Sequence, residues 1–150
     1  MAGRRDARDP QGTRRFRLDF LGEGALAEAL AWLEKLPGVG RKVAASTLNA
    51  SILRRPVFIV DSHVLRILQR LRFVDPHAVA AQTSDAVTAA RPGWSGDDFL
   101  AFHMMVKRLG QTICHATAPE CGICPLRNEC PSAGRVHTKA RYDRRDDGNL

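Results

Sequence analysis

Leu36-Pro37-Gly38-Val39-Gly40-Arg41-Lys42 sits between two stretches of helical periodicity, and the rest of the chain is read from it. Upstream, Leu26, Leu30 and Leu33 recur at helical spacing after breaks at Gly22 and Gly24, with Trp32 beside them. Pro37 and Gly38 stop that helix. Val39-Gly40-Arg41-Lys42 then opens a second one, rich in Ala and Val, that is expected to run to about Ile52. The arrangement is helix, short glycine turn, helix, over about 25–52. Two glycines permit a tight reversal and the close approach of another backbone. The first N–H groups of the second helix lack intrahelical partners, and together with the helix dipole they make a phosphate site. For a bare Pro-Gly-x-Gly the plainer reading is an ordinary turn between two core helices.

Downstream, Arg54-Arg55-Pro56 breaks the chain again. Val57-Phe58-Ile59-Val60 is a short apolar run with no visible strand partner, so a buried extended linker is expected there. Asp61 and Ser62 are both good N-cap residues, and Val64, Leu65, Leu68 and Leu71 follow at helical spacing. Pro76 is expected to start a helix that reaches Ala90, ended by Arg91-Pro92-Gly93. Gly96-Asp97-Asp98 is expected to cap another, with Phe99, Phe102, Val106 and Leu109 on one face and Gly110 at its close. No internal repeat is visible, and the expected fold class is all-α. A chain of 150 residues has room for one domain or two small ones, and can form a core without disulfides or a metal.

The net charge is +7, unevenly spread. Residues 1–17 hold six Arg and two Asp, and 134–150 hold five basic and three acidic residues. Both ends lack apolar periodicity, so 1–17 reads as a disordered basic tail and 132–150 as a second disordered tail. Between them, 35–72 carries eight basic residues against Asp61 alone, whereas 18–34 carries only acidic ones. This local field favours a phosphate-backbone partner; helical faces wetted by Arg are the bland alternative. No run of eighteen apolar residues exists, so no membrane span is expected. Met1 to Asp9 has no apolar core of the kind a secretory signal needs. The expected location is the cytoplasm, and the nucleoid if the source is bacterial.

All four cysteines fall in one short stretch, Cys114, Cys121, Cys124 and Cys130, spaced C-x6-C-x2-C-x5-C. A Cys-x-x-Cys turn offers two thiolates to one centre, and the others arrive on short flanking loops. Such a set suits a [4Fe–4S] cluster first, a four-cysteine zinc site second, and two disulfides last, because a reducing compartment disfavours the pairing. With four thiols present, His115 reads as a bystander. Residues 18–113 are therefore taken as a helical body and 114–131 as a metal-binding loop.

Together, Leu-Pro-Gly-Val-Gly-Arg-Lys at 36–42, Val60-Asp61-Ser62-His63 and the cysteine spacing resemble the endonuclease III family. These are DNA glycosylases and abasic-site lyases of the helix–hairpin–helix superfamily, and the resemblance covers about 26–131. It implies a partial helix–hairpin–helix glycosylase fold ending in a [4Fe–4S] loop. It implies Lys42 as the nucleophile and Asp61 as its carboxylate partner, and Lys42 favours the bifunctional branch, since adenine-specific relatives lack that lysine. It implies duplex DNA with damaged bases or abasic sites as partner, oxidised pyrimidines among them.

The expected DNA contacts are Leu36, Gly38, Val39, Gly40 and Arg41 of the hairpin. Lys107 and Arg108 are further phosphate candidates, with a solvated helix face the equal alternative. Arg127, inside the cysteine loop, is a weaker one. His63 is read as supporting the helix start, and His103, Met104 and Met105 as core. Only thirty-five residues precede Leu36, so the first barrel helices of the family are expected to be missing and apolar faces of 26–52 to be exposed. A truncated product or a misplaced start is the favoured explanation. The others are a short form that self-associates through the exposed face, and a DNA-backbone-binding module without catalysis.

Overall fold

Periodic apolar residues become six helices in a computed structural model that describes residues 18–135, together with the backbone of one two-residue antiparallel pair nearer the N-terminus. That pair, β1 (Ala7–Arg8) and β2 (Arg14–Arg15), sets Ala7 opposite Arg15. The helices are α1 (Phe20–Glu23), α2 (Leu26–Glu34), α3 (Arg41–Asn49), α4 (Ser62–Arg70), α5 (Ala80–Ala90) and α6 (Gly96–Thr112). The body is all-helical, as expected. The tails expected to be disordered lie outside the described residues, apart from that pair and a final turn that reaches Arg135. No described helix is long and apolar enough to cross a membrane.

Two apolar clusters make the core. Leu21, Ala29, Leu30, Leu33, Ala44, Ala45 and Leu48 form the first, between α1, α2 and α3. Ala44 and Ala45 are wholly buried, and their small side chains let α2 and α3 lie close. Val64, Ile67, Leu68, Val87, Phe99 and Val106 form the second, between α4, α5 and α6. Residues 57–60 stitch the two together. They are extended, so alternate side chains point to opposite sides. Val57 and Ile59 enter the first cluster, and Phe58 and Val60 the second. Phe58 meets Phe99, Phe102 and His103, and burying a side chain of that size is worth about 1.5–3 kcal/mol.

The extended segment has no strand beside it among the described residues, and helix side chains satisfy its backbone instead. Phe58 N–H donates to Thr88 Oγ1 at 3.1 Å, and Ser84 Oγ donates to the Phe58 carbonyl at 2.7 Å. His103 Nδ1 bonds the Ile59 carbonyl at 2.9 Å. Polar side chains of α5 and α6 are thus the missing strand's replacement.

Several expected boundaries move, the close of α6 at Gly110 among them, since that helix runs on to Thr112. The helix expected from Pro76 begins at Ala80, because Asp75 Oδ1 accepts from His77 N–H and its carbonyl from Ala78 N–H, which makes a turn. The side chain of Gln82 then accepts from Val79 N–H to start α5. The cap of α6 is Ser95 rather than the 96–98 string: Ser95 Oγ accepts from Asp98 N–H while Asp98 accepts from Ser95 N–H, a reciprocal cap. The second helix of the hairpin stops at Asn49, short of Ile52. Asn49 is wholly buried, and its amide donates to the carbonyls of Arg55 and Gly96.

At Gly96, α6 starts hard against the chain break before the extended segment. A Cβ there would lie 2.1 Å from the Arg54 carbonyl oxygen, a backbone atom that cannot step aside. Gly96→Ala should therefore lower stability by about 3 kcal/mol, measured as a fall in the urea midpoint at an unchanged slope.

Candidate nucleic-acid site and cysteine loop

The turn between α2 and α3 needs glycine at one place only. Gly38 has φ +77°, in the left-handed region, whereas Gly40 is extended at φ −92°. Neither Cα has an atom within 4 Å of where a side chain would begin, so both are open to an approaching backbone. No side chain caps α3, whose N-cap is Gly40. Leu36 and Val43 flank the opening as exposed apolar side chains, and Val39 is half-buried. Lys42 is exposed in the first turn of α3.

Arg41 is directed elsewhere. Its guanidinium bonds Glu34 on α2 and Asp85 on α5, which ties the hairpin to the body. What Arg41 presents at the helix start is backbone.

Asp61 follows the extended segment directly and caps α4, its Oδ1 accepting from Val64 N–H at 2.9 Å. Its other oxygen, Oδ2, faces Lys107 Nζ of α6 at 3.7 Å. Burial pushes this carboxyl up, but the Val64 N–H and the charges of His103, Lys107 and His63 outweigh it and hold Asp61 below its ordinary value. His103, buried beside it, is pushed the other way for a base. Burial lowers it most, the Ile59 carbonyl and Asp61 oppose, and Lys107 and Lys42 lower it again. Lys42, Asp61 and Lys107 thus all bear electrostatically on one buried imidazole.

Lys107, expected as a phosphate contact, faces Asp61; Arg108 lies exposed one residue on. His103 is core, as expected, and holds the segment that delivers Asp61, whereas Met104 and Met105, also expected in the core, lie on the solvent side of α6 and are exposed.

Cys114, Cys121, Cys124 and Cys130 are free, half-buried thiols that line one small hollow open to solvent. Arg70, Arg127, Ile113, Pro119, Ser132 and Ala133 complete its wall. No three His, Cys, Asp or Glu side chains among the described residues close on a point as a single-ion site would. The donor set is all thiol, with guanidinium groups beside it, which fits an anionic thiolate-bound group.

Two arginines that the sequence reading did not single out anchor this loop from α4. Arg66 donates to the carbonyls of Gly110 and Cys114 at 2.9 and 2.8 Å. Arg70 donates to Cys114 Sγ at 3.1 Å and to the carbonyls of His115 and Ala116 at 2.7 and 2.8 Å. Ser132 closes the far end by donating to the Arg70 carbonyl at 2.7 Å. Their one sequence signal is the i, i+4 spacing on α4, which places both guanidinium groups on one face.

No protein-family model matches the chain. It is 34% identical over 98 residues to endonuclease III of Rickettsia prowazekii, covering 65% of this chain and 44% of that protein. It is 33% identical over 113 residues to endonuclease III of Escherichia coli K12, covering 75% and 51%. It is 33% identical over 114 residues to the chloroplastic endonuclease III homolog 2 of Arabidopsis thaliana, covering 74% and 30%. The chain therefore spans about half, or less, of the length of these relatives. Its fold matches a non-covalent endonuclease III–DNA complex at TM-score 0.60 and 26% identity, covering 79% of this chain and 52% of that one. A trapped endonuclease III–DNA covalent intermediate matches at TM-score 0.62 and 25% identity, with 79% and 55% covered.

Acid should loosen the site in a defined order. His103 and Asp61 both sit below their ordinary values of 6.5 and 3.8 in the fold, so the unfolded chain takes up each proton first. The stability this represents is complete above pH 6.5, falls as pH drops through the His103 window, and falls again below 3.8. His103→Asn, which keeps a donor near the Ile59 carbonyl, should flatten the fall in urea midpoint between about pH 7.5 and 5. A fall as steep as in the unaltered chain would show that His103 does not cause it.

Proposed function

The chain belongs to the endonuclease III family, and on that premise we propose that it works in base-excision DNA repair, as a glycosylase with abasic-site lyase activity. Oxidised pyrimidines and abasic sites in duplex DNA are the proposed substrates. The observation that carries this is the shielded carboxylate of Asp61, capping α4 and facing Lys107, in a chain whose open hairpin presents Lys42 at the start of α3. Capping α4 uses one oxygen of that carboxylate, and the proposed chemistry uses its charge.

The chemistry asks two things of these residues. Breaking the N-glycosidic bond develops positive charge on the sugar, and an ionised carboxylate stabilises it. Asp61 is held in that state across neutral pH. An unprotonated amine then bonds to the anomeric carbon. On an abasic aldehyde it expels water and leaves a Schiff base. Loss of the neighbouring sugar proton expels the 3′ phosphate and cuts the strand. Lys42 is the proposed amine. The backbone around Gly38 and Gly40, with Leu36 and Val39 beside it, is the proposed phosphate grip, and Arg108 a second contact.

Cys114, Cys121, Cys124 and Cys130 would hold a [4Fe–4S] cluster, whose contribution when bound is to cross-link the loop's thiolates. Arg70, donating to Cys114 Sγ, would offset part of the thiolates' negative charge. Free thiols suit a reducing compartment such as the cytoplasm.

Borohydride trapping tests the reading. Purified, cluster-loaded protein is incubated with duplex DNA bearing one abasic site and reduced, and adducts are resolved on a denaturing gel. The expected result is a covalent adduct that Lys42→Ala abolishes. An absent adduct from brown protein that still shifts DNA would overturn the enzyme and leave a backbone-binding module.

A further inference from the structure

Lys107 was expected to face a phosphate, yet its ammonium stands 3.7 Å from Asp61 Oδ2, on the side of the carboxylate that Val64 does not occupy. Asp61 is almost fully shielded, 7% of its side chain being accessible, while Lys107 is one-third exposed at 35%. The lysine therefore reaches in from the rim of the site to a carboxylate that solvent scarcely touches.

The basic groups around that oxygen can be compared. His103 on α6 is buried and bonded to the Ile59 carbonyl, and burial lowers it, so the charge by which it favours ionised Asp61 is present only in acid. His63 lies on α4, the helix that Asp61 caps, where its Nδ1 meets Arg66 Nη2 at 3.3 Å. Lys42 on α3 bears on His103 but makes no ion pair with Asp61 within 4 Å. Lys107 is thus the permanent cation in direct contact with the carboxylate.

We infer that Lys107 is a positioning residue for the proposed reaction: its ammonium fixes the outward oxygen of Asp61, while the Val64 N–H fixes the inward one. A carboxylate gripped at one oxygen only turns about its Cβ–Cγ bond and presents either edge. Gripped at both, it presents one face to the sugar. The pair is also long enough, at 3.7 Å, to be an ion contact without a tight hydrogen bond. The carboxylate thereby keeps charge to offer a second, transient cation. The inference rests on Asp61 as the sugar-side carboxylate.

The test uses whole, cluster-loaded protein and four variants, each checked first for colour and cooperative unfolding. Single-turnover cleavage at an abasic site is measured across DNA concentrations. Lys107→Met should lower kcat about five- to tenfold with KM for DNA unchanged, and Lys107→Arg should restore most of it. Lys107→Glu places a second carboxylate against Asp61, so the two should share a proton near neutrality. The ¹³Cγ signal of Asp61, assigned by its absence in Asp61→Asn, should then titrate between about pH 5 and 7, and stay flat in the unaltered chain.

A raised KM with unchanged kcat in Lys107→Met would overturn the inference and make Lys107 a phosphate contact. So would a flat Asp61 signal in Lys107→Glu. If the unaltered protein cleaves nothing, the lyase reading falls, and the ¹³C titration alone decides whether Lys107 governs Asp61.

Discussion

The backbone of residues 57–60 runs through the centre of the molecule in an extended conformation, and three helix side chains hold it there. Ser84 and Thr88 of α5 bond both sides of Phe58, and His103 of α6 bonds the Ile59 carbonyl. A buried peptide group without a partner costs about 1–3 kcal/mol, so these bonds are what make an interior extended segment possible. They have two consequences. The segment's alternating side chains fasten the first apolar cluster to the second. Its end places Asp61 at a fixed point, one residue beyond Val60, where the chain turns into α4. The carboxylate's position is therefore set by core hydrogen bonds well behind it, and surface loops have little part in it.

Helix α4 carries that position onward to the cysteine loop. Asp61 caps one end, and Arg66 and Arg70 grip the loop from the other turns. Gly110 lets α6 cross closely, since a Cβ there would lie 2.8 Å from His63 Cβ. Much of the positive charge in the central segment is used inside the fold. Arg55 donates to the carbonyls of Leu21, Gly22 and Gly24, at the end of α1, and Arg41 braces the hairpin through Glu34 and Asp85. A basic stretch can thus look like a phosphate patch in sequence while its guanidinium groups tie loops to helices. Arginine suits that task because its planar donors can bond several carbonyls at once.

The parts legible in sequence were those written in local chemistry. The hairpin turn, the Asp61 cap, the cysteine loop and the burial of 57–60 follow from residues near one another in the chain. The parts that were not legible depend on residues far apart. Ser84 and Thr88 look like ordinary polar helix positions until Phe58 is placed beside them. Lys107 looks like a surface lysine until α6 packs across the start of α4. Local competition moved the helix boundaries: Asp75 captured the chain into a turn after Pro76, and Ser95 capped α6 ahead of the Asp pair. Each is a side chain bonding nearby backbone, a choice that periodicity does not register.

Asp61 shows how one residue serves two ends without conflict. As an N-cap it needs an oxygen lone pair aimed at Val64, and it would meet that need whether or not its second oxygen were charged. As a stabiliser of positive charge it needs ionisation, and capping promotes this, because a hydrogen bond to the charged form favours that form. Burial works against ionisation and would raise the carboxyl on its own. The cap and the neighbouring cations more than cancel burial, so the carboxylate is shielded from water yet still charged. A shielded charge interacts more strongly than a hydrated one. The local requirement of helix α4 and the chemical requirement of the site thus select the same residue in the same state.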